Sequence, residues 1–173
     1  MELITDAPKD SIRTHSGLYV NVFEPTPEMI CIEDIAHALS HQCRFSGHLL
    51  KFYSVAQHSI HVAQLVSSDN KFDALMHDAS EAYLLDIPTP IKARLENYKI
   101  LEANLMKVIA DKFGFKFPFD AEVKKADADM LLEEWHSLMI GDDVSVIALS
   151  PKRSKEAFLK QFHILKPSEA LAI

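Results

Sequence analysis

The chain has 173 residues, 48% of them hydrophobic, which suits one globular domain with a sizeable core and excludes a disordered chain. Its net charge of −7, with acids and bases interleaved, leaves no basic stripe for a nucleic-acid polymer. Only four glycines occur, with no G-x-G-x-x-G or Walker-type loop, so any phosphate must be held by side chains or a metal.

The first residues, MELITDAPKDS, lack a basic region followed by an apolar one, so no signal peptide is expected. No apolar run reaches the roughly 20 residues that span a bilayer, and no membrane partner is expected. Cys31 and Cys43 do not form a metal-type pair, and two cysteines do not make a disulfide framework. The expected compartment is a reducing cytoplasm.

Residues 1–30 read as an N-terminal arm, within which HSGLYVNVFE (15–24) alternates like a short hairpin closed by Pro25-Thr26-Pro27. The apolar period then changes to that of helices, expected at about 32–43, 54–67, 71–85, 89–96, 98–113, 120–139 and 151–162. Glu33 or Asp34 is the expected start of the first helix, Ser54 the cap of the second and Asp120 of the sixth. Gly114 and Gly141 end the fifth and sixth. Residues 31–166 thus form one all-α domain with a short β element before it, and 167–173 a loose tail.

Ionisable residues fall on faces that otherwise read as core. The 71–85 segment is apolar nearly all round, as a central helix would be, yet carries His77, Asp78 and Glu81. In the second helix His58 shares a stripe with Val55, Val62 and Leu65, while His61 falls with Gln57, Gln64 and Ser68 on the polar side. In the sixth, Asp127 lines up with Val123, Leu131, Trp135 and Leu138, whereas Asp129 aligns with Lys125, Glu122 and Glu133. A lone inward histidine is usually a satisfied core residue, and a lone inward aspartate usually a cap or an ion pair. Clustered carboxylates, however, are costly without a cation between them. Histidine nitrogen with carboxylate oxygen suits a borderline divalent metal, so His58, His77, Asp78 and Asp127 are expected to bind one metal ion.

The segments SVAQHS, HDASEAYLLDIPTP and VKKADADML resemble the HD-domain metal-dependent phosphohydrolases, over about residues 30–140. That resemblance implies an all-α HD helical bundle with metal ligands in the order His…His-Asp…Asp. It is strongest to the 5′-deoxynucleotidase branch and to phage dATP triphosphohydrolases. It implies Glu81 as the acid that activates the attacking water and Asp86 as the aspartate near sugar and leaving oxygen. It implies Arg44 and Lys92 as substrate cations, with Phe45 where the deoxynucleotidases carry tryptophan and Gln57 where they usually carry glutamate. His37 and His41, on the face of Arg44, line the pocket or cover surface. No histidine lies between Asp78 and Asp127, so a single histidine-bound metal is expected, unlike the two-metal oxygenases and cyclic-dinucleotide phosphodiesterases. The (p)ppGpp hydrolases differ at Ala82, where they carry a second acid.

The resemblance implies a nucleotide substrate cut between the α-phosphate and the 5′-oxygen, with Mn²⁺, Co²⁺ or Zn²⁺ as cofactor and Mg²⁺ on the substrate phosphates. A deoxynucleoside triphosphate, dATP foremost, is favoured over a monophosphate. The alternatives are a 5′-deoxynucleotidase and an idle regulatory module. A homo-oligomer is expected, in the host cytoplasm if the chain is phage-encoded.

Overall fold

The computed structural model describes residues 7–141 and 147–167. Most of the expected tail, 168–173, and the first six residues of the expected arm lie outside this range. The chain is mostly helical, with a small antiparallel sheet near the N-terminus. Strand β1 (Ser11–Arg13) pairs with β2 (Tyr19–Asn21) in the register Ser11↔Asn21, Ile12↔Val20, Arg13↔Tyr19. The hairpin therefore begins before the alternating stretch. Gly17 allows the turn with φ 93°, and Val20 anchors it in the core.

Helix α1 (Ile32–His41) is preceded by Cys31 rather than started by Glu33 or Asp34. Asp34 is unavailable as a cap because it is buried one turn in, accepting from Ser16 N–H and Ser16 Oγ–H at 2.7 Å each. One carboxylate thus ties the hairpin to the helical body.

Between α1 and α2 the chain makes a short turn, Arg44–Gly47, in which Phe45 (φ 53°) and Ser46 (φ 52°) are left-handed. A bulky residue there is strained. The turn is pinned at its base by Arg44 N–H to Tyr53 O (2.9 Å) and Val55 N–H to Gln42 O (3.1 Å). Helix α2 (Val55–Gln64) follows, capped as expected by Ser54, whose Oγ accepts from Gln57 N–H at 3.2 Å.

Helix α2 is the central one, packed against α1 and three later helices. Every residue from Val55 to Ile60 is buried. Two expectations fail here: Leu65 is exposed, because α2 has ended, and Gln57 is buried, its amide bonded to Ile147 O and Leu149 N–H. His61 is half-buried, bonded through Nδ1 to Tyr53 OH at 2.8 Å.

The expected central helix over 71–85 is instead broken. Helix α3 (Lys71–Leu75) stops, residues 76–80 wind through tighter turns, and α4 (Glu81–Leu84) resumes. The Ala74 carbonyl accepts from the His77 ring, with Nδ1 at 2.8 Å, and Ala79 and Glu81 bond three residues back. A ring nitrogen thus competes for a helical carbonyl, and the ladder tightens where His77 and Asp78 lie.

Helix α5 (Thr89–Lys92) is shorter than expected, while α6 (Tyr98–Phe113) spans its expected range and ends on left-handed Gly114. Asp120 caps α7 (Ala121–Glu134), which continues as a wider π turn, Trp135–Ile140, up to Gly141. Helix α8 (Pro151–Leu165) brings Phe158 and Phe162 onto α1, α2 and α3. No helix among the described residues is long and apolar enough to cross a membrane.

Candidate metal centre

Three separate segments deliver one cluster. The cap at Ser54 sets α2 so that His58 points into the body, its side chain fully buried. The broken turn after α3 supplies His77 and Asp78. Helix α7 supplies Asp127, half-exposed at the rim.

One donor atom each from His58, His77 and Asp127 lies within 4.8 Å of the others. Asp127 Oδ1 is 3.2 Å from His58 Nε2 and 3.5 Å from His77 Nε2. Asp78 stands slightly aside, with Oδ1 3.2 Å from His77 Nε2 and Oδ2 3.7 Å from His58 Nε2. Asp129 takes no part: it is exposed and paired with Lys125.

These residues fit a divalent cation. Nε2 of His77 is buried without a hydrogen bond, although two carboxylates stand near it. Two imidazole nitrogens among carboxylate oxygens form the mixed donor set of a first-row metal. The charge balance agrees. Burial lowers the pKa of His58, but Asp127 and Glu134 more than offset it and lift His58 to about 9. Burial also opposes the charge on His77, which Asp78 and Asp127 nevertheless pull upward. For Asp127, burial is outweighed by His58 and His77, and its carboxyl stays well below the usual range. The pocket favours positive charge at its centre.

Behind His58 lies a group that the sequence pattern missed. Glu134 is buried, with Oε1 2.7 Å from His58 Nδ1. Its Oε2 accepts from Arg44 Nε (3.2 Å) and Nη2 (3.1 Å). The apolar period of α7 points Leu131 and Trp135 inward, and the helix is turned away from that face. Both are exposed, and the inward line runs Val123, Ala126, Met130, Glu134. The spacing from Asp127 to Glu134 is seven residues, two helical turns on one side, and was the available signal.

Arg44 is buried and also donates from Nη1 to Asp86 Oδ2 at 3.2 Å, so the expected substrate arginine sits between two carboxylates. Phe45 is half-buried, its ring 5.6 Å from the Arg44 guanidinium and 6.0 Å from Trp135. Asp86 is pushed up by burial, against the pull of Arg44. Arg44, Phe45 and Asp86 thus gather with one another and join the His/Asp cluster through Glu134. His37 and His41 lie elsewhere, His37 stacked on both His15 and His41.

On the other side a cleft of about 240 Å³ opens onto His77, Asp78, Asp127 and Glu81. Glu81 is buried, its Oε2 without a hydrogen-bond partner among the described residues. Burial, with Asp78 and Asp86 nearby, raises its pKa well above the carboxylate range. Lys92, the expected phosphate cation, lines the cleft and is held by Glu102 at 2.5 Å. Lys99 and Lys124 line it too, and the sequence had not singled them out. They come from α6 and α7, brought together only by the fold.

No family model matches the chain. It is 39% identical over 168 residues to the uncharacterized protein YfdR of Escherichia coli (strain K12), covering 89% of this chain and 94% of that one. It is 36% identical over 124 residues to the uncharacterized protein RCAP_rcc00048 of Rhodobacter capsulatus, covering 66% of this chain and 63% of that protein.

Proposed function

The chain belongs to the family of Escherichia coli YfdR, and we propose that it is a metal-dependent phosphohydrolase of the HD type acting on deoxynucleotides. The observation that carries this reading is the convergence of His58, His77 and Asp127, with Asp78 beside them, at the mouth of a lysine-lined cleft that also holds a buried, partnerless carboxyl oxygen. An idle module needs no such acid next to such a centre.

A divalent cation held by His58, His77, Asp78 and Asp127 would supply Lewis acidity, polarising a phosphoryl oxygen and lowering the pKa of water from about 16 towards 7. The chain's own groups do the rest. Glu81, its pKa raised by burial and by Asp78 and Asp86, stands in the cleft as the base to take a proton from water. The water oxygen bonds to the α-phosphorus, the bond from phosphorus to the 5′-oxygen breaks, and that oxygen leaves with a proton. The proton that Glu81 takes from water can be passed to it, while Asp86 accepts from Arg44. Arg44 holds Asp86 in place.

A triphosphate is the favoured substrate, with dATP first. Lys99 and Lys124 line the cleft beside Lys92, whose charge Glu102 already meets, and are the cations available to the outer phosphates. Leu131, Leu132 and Trp135, exposed together, support an assembly of several copies. The test is incubation of metal-loaded protein with mono-, di- and triphosphates of the deoxynucleosides, products resolved by ion exchange. Inorganic triphosphate plus deoxynucleoside is the expected outcome. Release of phosphate from monophosphates alone would make the protein a 5′-deoxynucleotidase, and no turnover of any member would remove the enzymatic reading.

A further inference from the structure

Glu134 is only 2% exposed and touches neither the cleft nor solvent, yet both its oxygens are engaged by groups assigned to different tasks. A glutamate that merely neutralised Arg44 would need only that partner. Here Oε1 is committed to His58 Nδ1 at 2.7 Å while Oε2 takes the guanidinium edge. An imidazole has two nitrogens, and the hydrogen bond at one decides what the other offers. With Nδ1–H donating to Glu134, the Nε2 lone pair of His58 is left facing Asp127, where the donor atoms converge. A carboxylate in that position also makes the imidazole a stronger donor to a cation.

Arg44 makes the arrangement tolerable. Without it, Glu134 would be a buried anion close to Asp127 and Asp78, which is expensive in a protein interior. With it, hydrogen bonds link Asp86, Arg44, Glu134 and His58 Nδ1 in an unbroken line, at the end of which His58 Nε2 faces Asp127. Tyr53 adds its hydroxyl against His61 at 2.8 Å and helps close the far side of this line. The line crosses from the turn at 44–47 to α2 and α7, three elements that local sequence does not bring together.

Resting on the reading of the cluster as a metal site, we propose that Glu134 is its positioning residue: by gripping His58 and Arg44 with separate oxygens it sets the metal-binding edge of His58 and couples it to Arg44. Glu134 contacts neither cation nor substrate and acts only through these two side chains. Loss of its charge weakens metal binding even where the fold is intact.

The probe is Co²⁺ titrated into the metal-free full-length chain, followed by its visible absorption. Wild-type protein binds Co²⁺; failure at this step would overturn the metal reading itself, and this inference with it. Given binding by the wild type, Glu134→Gln keeps the side-chain shape but loses the charge, and its affinity falls by about 10–100-fold, with an altered Co²⁺ spectrum. Asp34→Asn, remote from the cluster, lowers thermal stability yet leaves the affinity alone, which separates positioning from general loosening. Should Glu134→Gln fail to fold, the double variant Arg44→Gln/Glu134→Gln removes both buried charges together and carries the same expected loss. Affinity and spectrum equal to wild type in either folded variant would overturn the proposal while leaving the metal site standing. The wild type gives an independent check. In the Zn²⁺-loaded protein, long-range ¹H–¹⁵N correlation finds the proton of His58 on Nδ1, and a proton on Nε2 would refute the assignment.

Discussion

Two groups of histidines stand in this molecule, and they are built in opposite ways. His15, His37 and His41 lie face to face, the first pair with ring centroids 3.7 Å apart and planes within 6°. Ring nitrogens lie in the ring plane, so lone pairs of stacked imidazoles run side by side and do not meet at a point. His58 and His77 are tilted by 52° at 5.3 Å, and both aim Nε2 at one oxygen of Asp127. The carboxylates differ as well. Asp34, near the stack, is spent on Ser16, whereas Asp78, Asp127 and Glu134 all face the tilted pair. Edges converging among acids can hold a cation; faces stacked beside one acid cannot.

The largest effect expected from breaking this contrast is at His77. His77→Ala removes a converging nitrogen, and its metal affinity falls by more than the roughly 10–100-fold typical of an outer partner. Turnover falls with it, and a chelator does the same to wild type until Mn²⁺ or Co²⁺ is returned. Metal analysis beside steady-state kinetics checks both.

Glu81→Gln comes next and sharpens the division of labour within the converging group. It retains the metal but lowers kcat by about 10²–10⁴-fold, as expected for a positioned acid–base group. A metal-free variant would make Glu81 structural.

On the stacked side the effects are on stability. Asp34→Ala strips two hydrogen bonds from the joint between hairpin and α1, at about 1.5–3 kcal/mol for bonds to a charged group, measured by urea unfolding. Burial raises the Asp34 pKa, but hydrogen bonds from Ser16 and Thr14 outweigh it and the net is downward. Its stabilisation is therefore present above the unfolded value near 3.9 and is lost as pH falls through the folded value. Wild type and Asp34→Ala should converge in acid.

The smallest effect is at His37. Burial, then His41, His15 and Lys155, lower its pKa against the pull of Asp34. The neutral ring is thus the form the fold holds. The penalty is absent well above the unfolded pKa of about 6.5 and grows as pH falls through it. His37→Phe keeps a stacking face and flattens this part of the pH dependence of Tm, with metal affinity unchanged.

The sequence carried the helical class and several ends, because Ser54, Asp120 and Gly114 act locally through one side chain or one φ angle. It also separated Asp127 from Asp129, since two residues turn a helix by more than half a circle. The break at 76–80 was hidden, because His77 and Asp78 read as helical by period while the His77 ring takes a carbonyl of the ladder. Glu134 was hidden by Leu131 and Trp135, whose apolar side chains imitate a core face although they are exposed. Lys99 and Lys124 reach one cleft from α6 and α7 only through the fold, and no spacing announces it.

The most direct test of the converging cluster is calorimetric titration of Mn²⁺ into metal-free wild type, Asp127→Ala and Asp129→Ala. The two aspartates are neighbours in sequence with similar composition around them, but only Asp127 faces the histidines. The expected result is about one site per chain in wild type, none in Asp127→Ala and an intact site in Asp129→Ala. Equal loss in both variants, or a wild type that takes up no metal, would contradict the account.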